Sequence, residues 1–170
     1  SWPLWSPDGR HVAYQRGSAL YWVPADGSGA PDSLLTLPGA WYPASFEPGG
    51  RGLVYHGIAA QQTKAEIGRL GFVPAQPPHR ILGSTFHNYD PSLSPDGRWM
   101  AYSSDESGRL EVYVRPYPGP GGRWQVSLDG GTEPVWSPTG REIFYRDGDR
   151  MMAAAVRTVG LGVVTAGGLV

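Results

Sequence analysis

Residues 5 to 14 read WSPDGRHVAY, and the Ser-Pro-Asp-Gly at their centre admits two readings, a nucleophile motif or a turn. The rest of the chain decides between them. The same ten-residue pattern returns as FEPGGRGLVY from Phe46, LSPDGRWMAY from Leu93 and WSPTGREIFY from Trp136. A nucleophile is needed once, whereas a structural device is needed in every structural unit. Glu47 takes the place of the Ser in the second copy and Gly49 that of the Asp, and Thr139 replaces the Asp in the fourth. What persists is a Pro, a Gly two residues on, an Arg and a closing Tyr. Pro presets φ near -65°, and Gly accepts a positive φ without a Cβ clash, so the pattern is turn chemistry. The turn residues are Pro7 and Gly9, Pro48 and Gly50, Pro95 and Gly97, and Pro138 and Gly140. A three-residue hairpin loop is expected at each.

The copies begin 41, 47 and 43 residues apart. A period of about 40 to 50 residues with several short strands per repeat is the signature of β-propeller blades. The first strand of each unit is short and carries a Pro: WPLWS, WYPASF, YDPSLS and TEPVWS. In the second strand Val12, Leu53, Met100 and Ile143 share one position, and the four Tyr the one two further on. Ala13, Val54, Ala101 and Phe144 lie between them, so both faces are apolar, as in sheets sandwiched between neighbours. Third strands are expected at ALYWV, EIGRLGFV, LEVYV and RMMAAAV, and fourth strands at SLLTL, HRILG, RWQVSL and VTAGGLV. The reading is all-β: one propeller region over residues 1–170, with four blades of four antiparallel strands at about 1–40, 41–86, 87–131 and 132–170. QQTKAEIGRL could form one turn of helix, but Ile67 and Leu70 fit a strand as well.

Composition agrees. The chain has 170 residues, 25 of them Gly and 17 Pro, which suits many turns, while 7 Trp and 9 Tyr supply the burial that disordered chains lack. A net charge of -1 gives no electrostatic case for a nucleic-acid or anionic-membrane partner. The absence of Cys excludes disulfides and thiolate chemistry. No apolar run approaches the roughly 20 residues of a membrane span. The chain opens on Ser1 and is expected to be a piece of something longer, a partial arc of a larger propeller.

WSPDGR followed by an apolar strand resembles the TolB-like, WD-repeat-like propeller repeat of bacteria. The stretch from Tyr102 to Val156 is similar to the C-terminal propeller region of bacterial eukaryotic-like serine/threonine kinases. That resemblance implies an extracytoplasmic, periplasmic sensory domain whose kinase lies elsewhere, since no glycine-rich loop, HRD or DFG occurs here. The second copy departs most, with FEPGG in place of WSPDG.

No catalytic residue is expected, because no G-x-S-x-G elbow exists and Ser6, Ser94 and Ser137 precede turn prolines. The four His are scattered, His56 just past a second strand, and neither a metal site nor a cofactor is expected. Asp147, Gly148 and Asp149 read as a hairpin turn rather than a calcium loop. Arg10, Arg51, Arg98 and Arg141 follow the turn Gly; as a recurring feature they read as braces with stems over aromatic rings, rather than as an anion-binding ring. A ligand site on a pseudo-symmetric ring must break the symmetry. The residues before the first-strand Pro do so: Trp2, Tyr42, Asp90 and Glu133. With Trp41, His87, Asn88 and Tyr89 nearby, they form the candidate site at one channel mouth, suited to a cationic or amphipathic peptide-like ligand. The alternative is a solvated rim. Tyr117, PGPGG (118–122) and Trp124 form either a contact surface or a tolerated loop. The functional reading is a non-catalytic module binding a protein, peptide or small ligand. Its rivals are the substrate-gating propeller of a prolyl-oligopeptidase-type hydrolase and a structural assembly module. Neither end of the repeat looks capped, which predicts self-association through end blades.

Overall fold

The computed structural model describes residues 3–83, 85–159 and 162–169, with 158, 159 and 162–169 described by their backbone alone. Trp2, one of the candidate site residues, lies outside the described residues. The chain falls into two compact units divided after Thr85. Each unit holds two four-stranded antiparallel sheets, and in every sheet the strands neighbour one another in chain order.

The first unit contains sheet one, β1 (Leu4–Trp5), β2 (His11–Arg16), β3 (Ala19–Pro24) and β4 (Asp32–Thr36). Sheet two follows: β5 (Gly39–Phe46), β6 (Gly52–Ala59), β7 (Glu66–Phe72) and β8 (Ala75–Leu82). The stretch with a helical alternative is turn over residues 61–65 and strand from Glu66 on, where it pairs with β6. His56 lies within β6 rather than after it, since β6 runs on to Ala59. Gly68 allows that pairing: a Cβ there would lie 2.3 Å from the Tyr55 ring opposite. β8 is exposed along most of its length.

The second unit contains sheet three, β9 (Asn88–Leu93), β10 (Trp99–Ser104), β11 (Glu111–Pro116) and β12 (Trp124–Gln125). Sheet four is β13 (Thr132–Trp136), β14 (Glu142–Asp147), β15 (Arg150–Val159) and β16 (Gly162–Leu169). Gly148, at φ 58°, turns the tight hairpin between β14 and β15, as the sequence led us to expect.

Within each unit the two sheets pack face to face. In the first, Leu20 and Leu35 of sheet one meet Trp41, Leu53, Tyr55 and Leu70 of sheet two. In the second, Ala101, Val112 and Val114 of sheet three meet Trp136, Ile143, Tyr145 and Ala154 of sheet four. Removing each large side chain of this kind from water contributes roughly 1.5–3 kcal/mol. The alternation along the second strand thus has a direction. The Leu53/Ile143 and Tyr positions face the preceding sheet of the unit, and the Ala101 position faces the following one. Each first strand also runs beside its neighbour: β5 beside β1, and β13 beside β9.

The four turns share one wiring. Gly9 N–H donates to Ser6 O (2.9 Å), and the same bond closes the turns at Gly50, Gly97 and Gly140. Gly9, Gly50, Gly97 and Gly140 all have φ near +69°, the conformation that made Gly necessary. The loop is longer than the expected three residues, because the flanking pair is Ser6 with His11 and four residues intervene. The reason is the serine. Its carbonyl is spent on the Gly, so its hydroxyl accepts the His11 N–H instead (2.9 Å) and donates to Asp8 Oδ1 (2.6 Å). Ser94 repeats this with Trp99 and Asp96. Ser137 repeats it with Glu142, its hydroxyl also lying 3.0 Å from that of Thr139. The Ser6 hydroxyl and the Arg10 N–H together hold the Asp8 carboxyl below the usual range.

Candidate ligand site on the first strands

The turn serines are committed to main-chain bonds, which accounts for their recurrence without catalysis. In the second turn Glu47 replaces Ser and is nearly buried. It reaches across to Arg69 of β7 as a two-point ion pair, 2.5 Å to Nε and 3.1 Å to Nη2. The main chain at the turn arginines braces the hairpins as well. The carbonyls of Arg10, Arg51, Arg98 and Arg141 each accept an N–H from the chain at or just past the third strand, at 2.7–2.8 Å. Their side chains are exposed, and that of Arg98 bonds to Asp96 Oδ2 (2.8 Å).

The symmetry-breaking positions divide between the units. In the first, Trp41 is core and not rim. Its ring stands edge-on to Tyr55 (centroids 5.5 Å apart) within the sheet-one/sheet-two contact. The reason is the alternation of β5, which turns Trp41 inward and leaves Tyr42 half-buried beside His56 (5.8 Å). Burial pushes the His56 imidazole down to about 4.

In the second unit His87, Asn88, Asp90 and Glu133 do come together around β9 and β13. Asp90 and Glu133 have φ of 52° and 54°, left-handed values rare for a side-chain-bearing residue. Each sits before a Pro, which by itself favours extended backbone. Each also lies where its strand slips register against the second strand, between Tyr89 and Ser92 and between Thr132 and Val135. Bulges of this kind re-aim a side chain, and strain of this kind costs on the order of 1–3 kcal/mol. The Asp90 carboxyl is raised above the usual range by burial and by the Glu133 charge, against the pull of the Glu133 N–H that donates to it. Ser103 is buried opposite this bulge. Its hydroxyl has no partner in full hydrogen-bond geometry, yet it is close enough to Asp90 to ease that carboxylate's charge. Glu133 is half-exposed and lies 3.7 Å from Arg146.

Beside them, the His87 ring stacks on Tyr89 (5.3 Å, 13°), and its Nδ1 lies 2.7 Å from the Tyr89 hydroxyl. Asp105 accepts the His87 N–H (2.8 Å), and with Asp90 it adds to burial in raising the Tyr89 phenol. Asn88 is buried and donates to Phe86 O (3.1 Å). Asp105 has no signal in the sequence, being one carboxylate in an ordinary turn, SDESGR. Tyr117 and Trp124 around PGPGG turn inward, Trp124 standing edge-on to Trp99 (5.9 Å). Two shallow polar grooves of about 390 and 410 Å³ run along β11 and β12. Their charges are already paired, Arg109 with Glu111 and Asp129, and Arg123 with Glu106. Among the described residues no three His, Asp or Glu cluster to hold a metal ion, and no helix is long and apolar enough to cross a membrane.

The sheet pattern is shared with solved proteins. A TolB-type protein from Agrobacterium tumefaciens superposes with a TM-score of 0.75 at 22% identity, over 95% of this chain and 62% of that one. TolB from Acinetobacter baumannii gives 0.69 at 21%, over 96% of this chain and 42% of that one. The fold is that of TolB-type β-propellers. A puromycin-hydrolyzing peptidase from Mycobacterium tuberculosis also shares it, with a TM-score of 0.65 at 18% identity, over 89% of this chain and 29% of the peptidase. In sequence, an uncharacterized protein of Agrobacterium fabrum is 27% identical over 130 residues. The match spans 74% of this chain and 39% of that protein, so the TolB-like blades here cover well under two thirds of their relative. No protein-family model matches the chain.

Proposed function

We propose that residues 1–170 are a non-catalytic propeller module that binds a cationic or amphipathic peptide-like ligand, with Asp90 and Glu133 as its anionic contacts. The observation that carries this reading is the pair of left-handed, pre-proline carboxylates on adjacent first strands. Both positions bear backbone strain that an ordinary rim has no use for. The stacked His87 and Tyr89 rings beside Asp90 offer an aromatic surface to the same ligand. Asn88, buried beside them, belongs to the proposed site as a framing residue.

The test is anisotropy titration with two labelled peptide pools, one rich in Lys and Arg, the other in Glu. The basic pool should bind, and Asp90→Asn with Glu133→Gln should weaken it by at least tenfold while circular dichroism stays unchanged. Equal binding of both pools, or no loss in the double variant, overturns the assignment.

The finer placement is also a proposal: an extracytoplasmic sensory propeller of a receptor-type serine/threonine kinase. It rests on the likeness of the Tyr102–Val156 stretch to such regions. The shared fold with the puromycin-hydrolyzing peptidase favours a second reading, a gating propeller beside a hydrolase domain. The flanking coding sequence separates the two, by a kinase and membrane segment upstream or a serine elbow downstream.

A further inference from the structure

The residue after the repeated Tyr lies by the residue before the first-strand Pro, and the pair changes from sheet to sheet. In sheet two it is His56 beside Tyr42, in register and with rings 5.8 Å apart. In sheet three it is Ser103, whose fully buried hydroxyl lies close to the Asp90 carboxyl without a partner in full hydrogen-bond geometry. In sheet four it is Arg146, with Nη1 3.7 Å from Glu133 Oε2. Sheet one has Gln15 at this position, and its Nε2 donates to the carbonyl of Gly17, two residues on. Arg146 makes the equivalent bond, Nη2 to Gly148 O at 3.3 Å. Glu133 thus meets a cation of its own chain. The pair is loose: both side chains are about half exposed, and their approach is longer than a hydrogen bond. Exposed pairs of this kind contribute little and are easily exchanged. Asp147, the next residue, is already held by Arg150.

We propose that Arg146 is a tethered stand-in for the ligand's cation: it sits at Glu133 in the free protein, and a basic side chain of the bound peptide displaces it. The inference rests on the reading of Asp90 and Glu133 as ligand contacts, and it adds the residue that sets how strong a cation the site demands. A guanidinium binds a carboxylate tightly when its planar fork meets both oxygens. Arg146 does not do so, because one arm of its fork is turned to the Gly148 carbonyl. An incoming cation that bonds Glu133 directly therefore wins the exchange. The tether nonetheless keeps the competitor at a high and constant local concentration, so a weakly basic ligand loses to it. Ser103 carries no charge, so this position plays the part in sheet four and not in sheet three.

The experiment is anisotropy titration with the Lys- and Arg-rich pool on the parent, Arg146→Gln, Glu133→Gln and their double variant. Arg141→Gln, which removes the same charge just before the same strand, controls for net charge. All three positions are exposed, and thermal unfolding by circular dichroism checks each fold. Arg146→Gln should tighten binding by up to about fivefold, the upper end of what an exposed ion pair is worth. In the Glu133→Gln background the same change should have no effect, since no pair is left to break. Arg141→Gln should bind as the parent does. Unchanged or weaker binding in Arg146→Gln overturns the proposal, as does an equal gain in Arg141→Gln or a gain that survives without Glu133. A parent that ignores the basic pool, or a Glu133→Gln that binds as well as the parent, instead fails the carboxylate reading and takes this inference with it.

Discussion

Replacing Ser94 by Ala tests whether the turn serines are structural. The hydroxyl has two bonds to lose, donation to Asp96 (2.6 Å) and acceptance of the Trp99 N–H (3.0 Å). The second matters more. Ser94 O is already taken by Gly97 and Trp99 is a core residue, so its N–H finds neither a replacement carbonyl nor water. A buried donor left without an acceptor costs about 1–3 kcal/mol. Taking about 2 kcal/mol, a protein of this size should melt roughly 4–8 °C lower. Ser137→Ala should cost less, because Glu142 is exposed and water can take over its N–H. Ser94→Thr, which keeps the hydroxyl, should recover most of the loss. Differential scanning calorimetry of the four proteins gives the ranking. An unchanged melting temperature in Ser94→Ala refutes the bracing argument. If some hydrolytic activity disappeared at the same time, the serine would return as a nucleophile.

The His56 imidazole, held near 4 by burial, is neutral in the fold when it would be charged in the unfolded chain at 6.5. Its folded pKa is the lower one, so stability is complete above pH 6.5 and drains away between 6.5 and about 4, by at most about 3 kcal/mol. Urea midpoints across that window should fall for the parent and flatten in His56→Phe; identical slopes would sink the assignment. Breaking the Glu47–Arg69 pair from either side strands a nearly buried charge, so Glu47→Gln and Arg69→Met should each cost about 3 kcal/mol or more, with the double variant milder than their sum. Additive losses would show that the two side chains do not act as a pair.

How much of this could be read from residues alone varies with the distance of the partner. The turn could, because Pro and Gly state their φ preferences locally, and all four turn glycines adopt the positive φ expected of them. Strand direction and the two apolar faces followed from the Val-Ala-Tyr alternation. The serine's substitution for a carbonyl was hidden, since Ser before Pro has many local partners, and the loop came out one residue short. Glu47 was legible only as a lapse in the motif; its partner lies 22 residues away on β7. Trp41 was placed at the rim because aromatics before a Pro looked alike, whereas strand parity separates it from Tyr42. The left-handed backbone at Asp90 and Glu133 ran against local preference, because a residue before Pro reads as extended. Only the register slip against the second strand explains it.

The outer edge of sheet two carries its own constraint on what can pair with it. β8 lies open to solvent, and Pro77 and Pro78 sit together in its bulge, both opposite Leu70 of β7. Two successive prolines remove one N–H on the β7 side and one on the solvent side. A foreign strand laid along that edge would meet a gap in the hydrogen-bond ladder and a kinked template. At sheet two, strand-to-strand recruitment, the route by which open sheets seed fibrils, is closed by chemistry that needs no charge at all.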